Sequence, residues 1–275
     1  VGNAPYRFEL IECDGEIVGY CSAKPNVWVK EPGLFWITLM LLPDAQEQGI
    51  ETEALGRMES EALRLGATKV AIRVRSDCPA LIDATNHAGY TCVQRDLITR
   101  LDLAEFEMTR HVADIEKLTQ HGIDIVSIFD LLQAGEGWLP EAYELNSALL
   151  ADVELVGGFQ KRPYEDFRAD VLNPEECDPK VNLYARSNGK LVGETGLFPI
   201  QNAKHICLTG LTGVLPAFRR KGIATALKVR SLQAAKEAGA QVVYTGNERN
   251  NPMYRVNLGL GYRDDYEDCS YTKTL

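Results

Sequence analysis

The sequence contains no CxxC pair, no histidines at metal-ligating spacing and no long apolar run. Its seven cysteines (Cys13, Cys21, Cys78, Cys92, Cys177, Cys207 and Cys269) are scattered and odd in number. That pattern excludes a disulfide framework and implies reduced, mostly packed thiols. The four histidines, His87, His111, His121 and His205, form neither HxxxH nor HxxH, so no metal is expected. No stretch of 18 apolar residues occurs. A membrane span and membrane partners are therefore not expected, and the first residues do not form a signal peptide. A concentrated positive face is also missing. Residues 1–104 carry 10 basic and 15 acidic side chains and residues 105–275 carry 19 and 24, for a net charge of -10. Nucleic acid is a poor partner for such a chain. The expectation is a soluble cytoplasmic protein with enough apolar residues (45%) for a substantial core. The oligomeric state is not legible.

What is present is a repetition. Leu41–Val70 aligns without a gap on Val214–Val243. Pro43 matches Pro216, Gly49 matches Gly222, Thr52 matches Thr225 and Gly66 matches Gly239, each pair 173 residues apart. With one-residue slips, DGEIVGY at Asp14 resembles NGKLVGE at Asn188, and NHAGY at Asn86 resembles NLGLGY at Asn257. An ordered series of matches indicates an internal duplication. Each copy reads as strand, Asx-Gly turn, strand, strand, long helix, strand. The second copy has extra helices at its front, in HVADIEKLTQHG, LPEAYELNSALLADV and YEDFRADVL, the last ended by Asn173-Pro174. The class is mixed α/β, with two related domains, residues 1–104 and residues 105–275. Val1 lies so near a strand that the front of the first is expected to be incomplete.

The stretch RRKGIAT, Arg219–Thr225, places three cations and a glycine at a helix start. The first turn of a helix exposes unpaired N–H groups at the positive end of its dipole, and glycine lets an anion approach the backbone. The residues alone support either a cradle for a phosphorylated ligand or a solvated basic cap. They match neither the Walker loop nor the dinucleotide fingerprint.

Arg219-Arg220-Lys221-Gly222-Ile223-Ala224 resembles the [Q/R]xxGx[G/A] acyl-CoA signature of the GNAT family of N-acetyltransferases. Val214-Leu215-Pro216 stands where that family's fourth strand ends. Asn250-Asn251-Pro252-Met253, Asn257 and Gly261-Tyr262 resemble its later asparagine and glycine-aromatic segments. The arrangement is similar to the tandem-domain, mycothiol-synthase-like members, which implies two domains, each a mixed central sheet flanked by helices, degenerate over residues 1–104 and complete over residues 105–275. The resemblance implies direct transfer of an acetyl group from acetyl-CoA, as cosubstrate, to an amine on a small molecule or an exposed amino group. It implies that N–H groups from Arg220 to Thr225 hold the pyrophosphate, with Arg219 opening the loop. It also implies that the strand before the loop splays from its neighbour. Backbone near Gly213, Val214 and Leu215 would then bind the pantetheine arm and polarise the thioester carbonyl, with Asn250 beside the arm. The first copy reads Gln46-Glu47-Gln48-Gly49-Ile50-Glu51, with two negative charges where phosphate would lie, so the working site is expected in the second copy.

The candidate chemistry is thinner. Asn257 stands where the family often has a tyrosine acid, and an amide cannot serve as one. Tyr254 lies nearly one helical turn away and reads either as a substitute acid or as a packing tyrosine. Glu194 reads either as a general base facing the acceptor or as a solvent-facing strand residue. Two further readings remain open, a non-catalytic acyl-CoA-binding or sensing protein and a two-domain structural or interaction protein.

Overall fold

The computed structural model describes residues 6–26, 29–173 and 177–275. Val1 and Pro174, both used in the sequence reading, lie outside the described residues. The chain divides into two compact units, and they are interleaved in sequence.

Unit 1 comprises residues 1–97, 154–160 and 266–275. It contains β1 (Arg7–Cys13), β2 (Glu16–Pro25), β3 (Leu34–Leu41), α1 (Ile50–Arg64), β4 (Lys69–Arg75), α2 (Pro79–His87) and the first part of β5 (Thr91–Asp102). Asp14 and Gly15 both take positive φ, 51° and 84°, and close the β1–β2 hairpin as the Asx-Gly pair predicts. β3 and β4 are parallel and joined through α1, whose Leu55, Met58 and Ala62 are buried with Ile37, Val70 and Ile72.

Unit 2 comprises residues 98–153 and 161–265. It contains α3 (Val112–Gln120), β6 (Ile123–Ser127), α4 (Ile128–Gln133), α5 (Leu139–Leu150), α6 (Tyr164–Leu172), β7 (Leu183–Ser187), β8 (Lys190–Ile200), β9 (Ala203–Val214), α7 (Ile223–Glu237), β10 (Val242–Asn247) and α8 (Pro252–Gly259). The final strand, β11 (Arg263–Thr274), begins here. The sheet of unit 2 runs β5-β10-β9-β8-β7-β6, parallel between β9 and β10 and antiparallel from β9 to β6. The two faces are distinguishable along β7. Leu183 and Ala185 pack with Ile223 and Leu227 of α7, whereas Tyr184 packs with Leu145 and Leu149 of α5 and Phe167 of α6. Strand alternation thus puts α7 on one face of the sheet and α5 and α6 on the other. Ile223, Leu227, Val229 and Leu232 are at most 1% exposed, and burying each contributes roughly 1.5–3 kcal/mol. The short helix α4 was not expected from the sequence. Ser127 starts it with a capping box, its side chain accepting from Asp130 N–H at 3.0 Å while the Asp130 carboxylate accepts from Ser127 N–H.

The sequence reading divides the chain once, at 104/105. The structure differs because most of β11 belongs to unit 1. Asp268–Thr274 pair antiparallel with Arg75–Lys69, so unit 1's sheet runs β1-β2-β3-β4-β11. Cys269 and Tyr271 are buried in unit 1's core. Residues 154–160 also belong to unit 1, where Phe159 bridges Val29 and Gly158 O accepts from Lys30 N–H.

Candidate active site

Unit 2 holds two cavities with a common wall. The first, about 260 Å3, follows from the geometry of β9 and β10. Their parallel pairing runs from Val242–Ile206 to Tyr244–Leu208 and stops. Beyond it Thr209–Thr212 and Thr245–Asn247 line opposite sides of the gap, with Leu150 and Val153 from one face of the sheet and Lys228 from the other. A bulge contributes to this opening. The β8–β9 ladder steps from Thr195–Thr212 to Leu197–Thr209, so Gly210 and Leu211 stand opposite Gly196 alone. A Cβ on Gly210 would lie 2.3 Å from the Phe198 ring, so a larger residue here would displace that ring.

The second cavity, about 440 Å3, lies on the α5–α6 side and shares Leu211 with the first. It is lined by Asn146, Arg162, Asp170, Tyr184 and Glu194 among others. Glu194 is 6% exposed, and Asn146 Nδ2 donates to its Oε1 at 2.6 Å. Burial pushes the Glu194 carboxyl up to about 7, against the downward pull of the Asn146 hydrogen bond and the Arg162 charge. The Arg162 guanidinium is paired with Asp170 and stacks 5.2 Å from the Phe167 ring. Of the two sequence readings of Glu194, the solvent-facing one does not hold.

The cationic loop closes the picture at the start of α7. Gly222 is the N-cap with φ 82° and ψ 1°, and Arg220 takes φ 61°. The first helix-closing bond runs from Ala226 N–H to Gly222 O, leaving Ile223, Ala224 and Thr225 N–H without a partner inside the helix. Arg219 fastens the loop, its Nε donating to Val214 O at 2.9 Å and its guanidinium pairing with Asp152. Arg220, Lys221 and Gly222 are exposed, with Lys221 Nζ 5.1 Å from the Phe218 ring centre. The Ile223 side chain belongs to the core, so only its backbone faces the loop. Of the three backbone positions expected to hold the pantetheine arm, Leu215 has its N–H committed to Val192 O at 2.9 Å, and Val214 O takes the Arg219 bond. Gly213 packs closely on α5, where a Cβ would lie 3.0 Å from the Leu149 side chain.

The asparagine segment divides. Asn251 caps α8, its Oδ1 accepting from Met253 N–H at 2.9 Å, and lines the smaller cavity; Asn250 is exposed and does not line it. Asn257 is fully buried at the cavity wall, donating from Nδ2 to Asn247 Oδ1 at 2.7 Å, with its own Oδ1 unpartnered. Tyr254 points elsewhere: its hydroxyl donates to Asp264 at 2.9 Å and it lines neither cavity. The sequence reading missed Asn146, which no motif marks, and Lys228. Cys207 is buried, and burial raises its thiol, as expected of a packed cysteine. Among the described residues no group of three metal-ligating side chains occurs, and no helix is long and apolar enough to cross a membrane.

A gap between parallel strands, one of which leads in sequence to a glycine-capped cationic helix start, is an arrangement that suits an extended arm with a phosphorylated end. The profile of the acetyltransferase (GNAT) family matches the sequence over residues 2–90 and 140–260. The chain belongs to that family. Two GNAT regions in one chain agree with the duplication read from the sequence. A tandem GNAT protein from the clavulanic acid biosynthesis pathway superposes with a TM-score of 0.73 at 16% identity, covering 98% of this chain and 83% of that one. A GNAT protein of Sphaerobacter thermophilus gives 0.68 at 16% identity, with 95% and 78% covered. The glucosamine N-acetyltransferase region of a fungal multi-domain β-N-acetylglucosaminidase gives 0.71 at 14% identity, with 97% and 33% covered. At these identities the structural likeness concerns the fold. No curated protein matches the sequence.

Proposed function

We propose that unit 2 transfers an acetyl group from acetyl-CoA directly to the amine of a small molecule or an exposed amino group. The observation that carries this reading is a buried carboxyl group, Glu194, in a cavity sharing Leu211 with the gap between β9 and β10. The pyrophosphate sits on the N–H groups of residues 220 to 225 with Arg220 and Lys221 above it, and the pantetheine arm runs through the gap. Backbone at Gly213 and at the bulge of Gly210 and Leu211 faces the thioester carbonyl as it gains charge.

The amine, bound in the larger cavity, attacks the thioester carbon. The C–N bond forms, the C–S bond breaks, and the proton lost by nitrogen goes to the Glu194 carboxylate while CoA leaves as thiolate. Asn146 holds Glu194 in place, and water protonates the thiolate, since Asn257 is no acid and Tyr254 is turned to Asp264. With Glu194 titrating near 7, kcat/KM rises with pH through that value.

The test is incubation with acetyl-CoA and a panel of amines, with thiol release as the readout. Active protein should lose ~100-fold or more in kcat on Glu194→Gln. Release that Glu194→Gln leaves unchanged removes Glu194 from the chemistry. Acetyl-CoA binding without release by any amine points instead to a sensing protein. Absence of binding points to a structural one.

A further inference from the structure

Lys228 is a lysine in the wrong place for a structural residue. It lies in the second turn of α7, on the face packed against the sheet, and is 3% exposed. Its neighbours Leu227 and Val229 are core residues. The residue 173 positions earlier, Leu55, is 1% exposed and fills the core of unit 1. The duplicated fold therefore accepts leucine at this point, and the ammonium-bearing chain of unit 2 is a departure from it.

No ion pair or hydrogen bond of Lys228 occurs among the described residues. The Tyr262 ring lies 5.3 Å from its Nζ. It lines the 260 Å3 cavity, whose other polar lining consists of Thr209, Thr212, Thr245, Asn247, Asn251 and Asn257 and includes no carboxylate. Asn257 Oδ1 is also buried without a partner. A cationic side chain buried without a counter-ion is costly, and such a group either loses its proton or awaits an anion. Desolvation does pull the Lys228 ammonium down to about 7.

We propose that, beyond acetyl, this site accepts a short acyl group that carries a carboxylate at its far end, such as malonyl or succinyl, and that Lys228 is its counter-ion. The proposal rests on the reading of the β9–β10 gap as the acyl-CoA channel. A thioester held in that gap has the α5–α6 cavity, with Glu194, on one side of the sheet and Lys228 on the other. The acceptor enters from the first, and the acyl chain extends toward the second. The ring of hydroxyl and amide groups offers a terminal carboxylate hydrogen-bond partners. Transfer itself is unchanged: the far carboxylate takes no part in bond making, and Lys228 is a specificity residue.

The experiment compares two inert thioethers of equal length, S-(3-carboxypropyl)-CoA and S-butyl-CoA, with CoA itself as reference. Calorimetry at pH 8.5 in two buffers of different ionisation enthalpy reads affinity and proton uptake together. The carboxylated analogue should bind at least ~10-fold more tightly than the butyl one and take up close to one proton, because a largely neutral lysine must charge to meet it. Lys228→Met, similar in size and apolar, should remove both the preference and the uptake while still binding S-butyl-CoA. A Lys228→Gln variant provides the same comparison if Met perturbs the fold. Equal affinity of the two thioethers for the unaltered protein overturns the proposal, as does a preference that survives both substitutions. Failure of CoA and both thioethers to bind overturns the acyl-CoA channel itself, and the proposal with it.

Discussion

The helix starts of α1 and α7 have the same backbone and opposite charge. Gly49 and Gly222 both cap their helices at φ 82°, and Glu47 and Arg220, two residues before them, both take unusual positive φ, 63° and 61°. The tie that fastens each loop is also repeated. Gln46 Nε2 reaches Leu41 O at 3.4 Å, and Arg219 Nε reaches Val214 O at 2.9 Å. In unit 1, however, the loop already holds an anion. Glu51 is 4% exposed, and its carboxylate accepts the Glu47 N–H at 3.0 Å. Duplication kept the shape of an anion nest, and substitution filled one copy with its own side chain. The shape is thus a property of the backbone, and ligand binding a property of what the side chains leave open.

This comparison can be broken or sharpened in four ways. The largest effect is expected from a matched pair, Gly222→Val and Gly49→Val. Both glycines have the same φ and open space where a Cβ would go, so the backbone strain is common to the two. Any difference in CoA affinity reports the phosphate approach. By calorimetry, Gly222→Val should weaken CoA binding ~1000-fold and Gly49→Val less than ~2-fold; the reverse order would move the working site to unit 1.

Next comes Glu194, whose counterpart in the first hairpin is the exposed Tyr20. Its carboxyl is raised from 4.5 to about 7, so between those values the folded state holds a proton that the unfolded chain releases. Stability therefore falls as pH rises through that window. Denaturant melts should show Glu194→Gln gaining about 2 kcal/mol over the parent at pH 8 and little at pH 4. An equal change at both pH values would contradict a buried, titrating carboxyl. Arg219→Ala should weaken CoA binding ~10-fold by loosening the loop, whereas Gln46→Ala should leave it alone. Smallest is Glu51→Gln, which removes the internal anion and should cost unit 1 about 1 kcal/mol in melts without creating a CoA site, because Glu47 remains and no cation is added.

Much of the fold was legible because the repeat is carried by residues whose conformations are special. Asp14-Gly15 and Asn188-Gly189 turn both hairpins, and Gly66 and Gly239 follow both long helices in the left-handed region. The end of α8 shows how a slip misleads. The sequence matches Asn86 with Asn257, but Tyr90 N–H bonds to Thr85 O and Tyr262 N–H bonds to Asn257 O, so Thr85 is the true counterpart. The cationic loop was legible through its spacing. Asn146 was not, because its partnership with Glu194 is made across 48 residues by packing of α5 on the sheet. Lys228 was within reach, since its place in the repeat is held by Leu55 and an ammonium replacing a core leucine is itself a signal. The destination of β11 could not be read. Its alternation fits either sheet, and only the pairing with Lys69–Arg75 decides which core Cys269 and Tyr271 enter.

That last strand has a consequence for how the polypeptide matures. β4 gains its second neighbour only when residues 268–274 have been synthesised, almost two hundred positions after β4 itself. Until then, a nascent unit 1 emerging from the ribosome carries an unfinished sheet margin, the kind of surface that recruits unwanted strands. Folding from front to back is thereby ruled out as a complete route. Unit 1 waits for a strand made after unit 2, and loss of residues 268–274 would injure a sheet whose other strands were made long before.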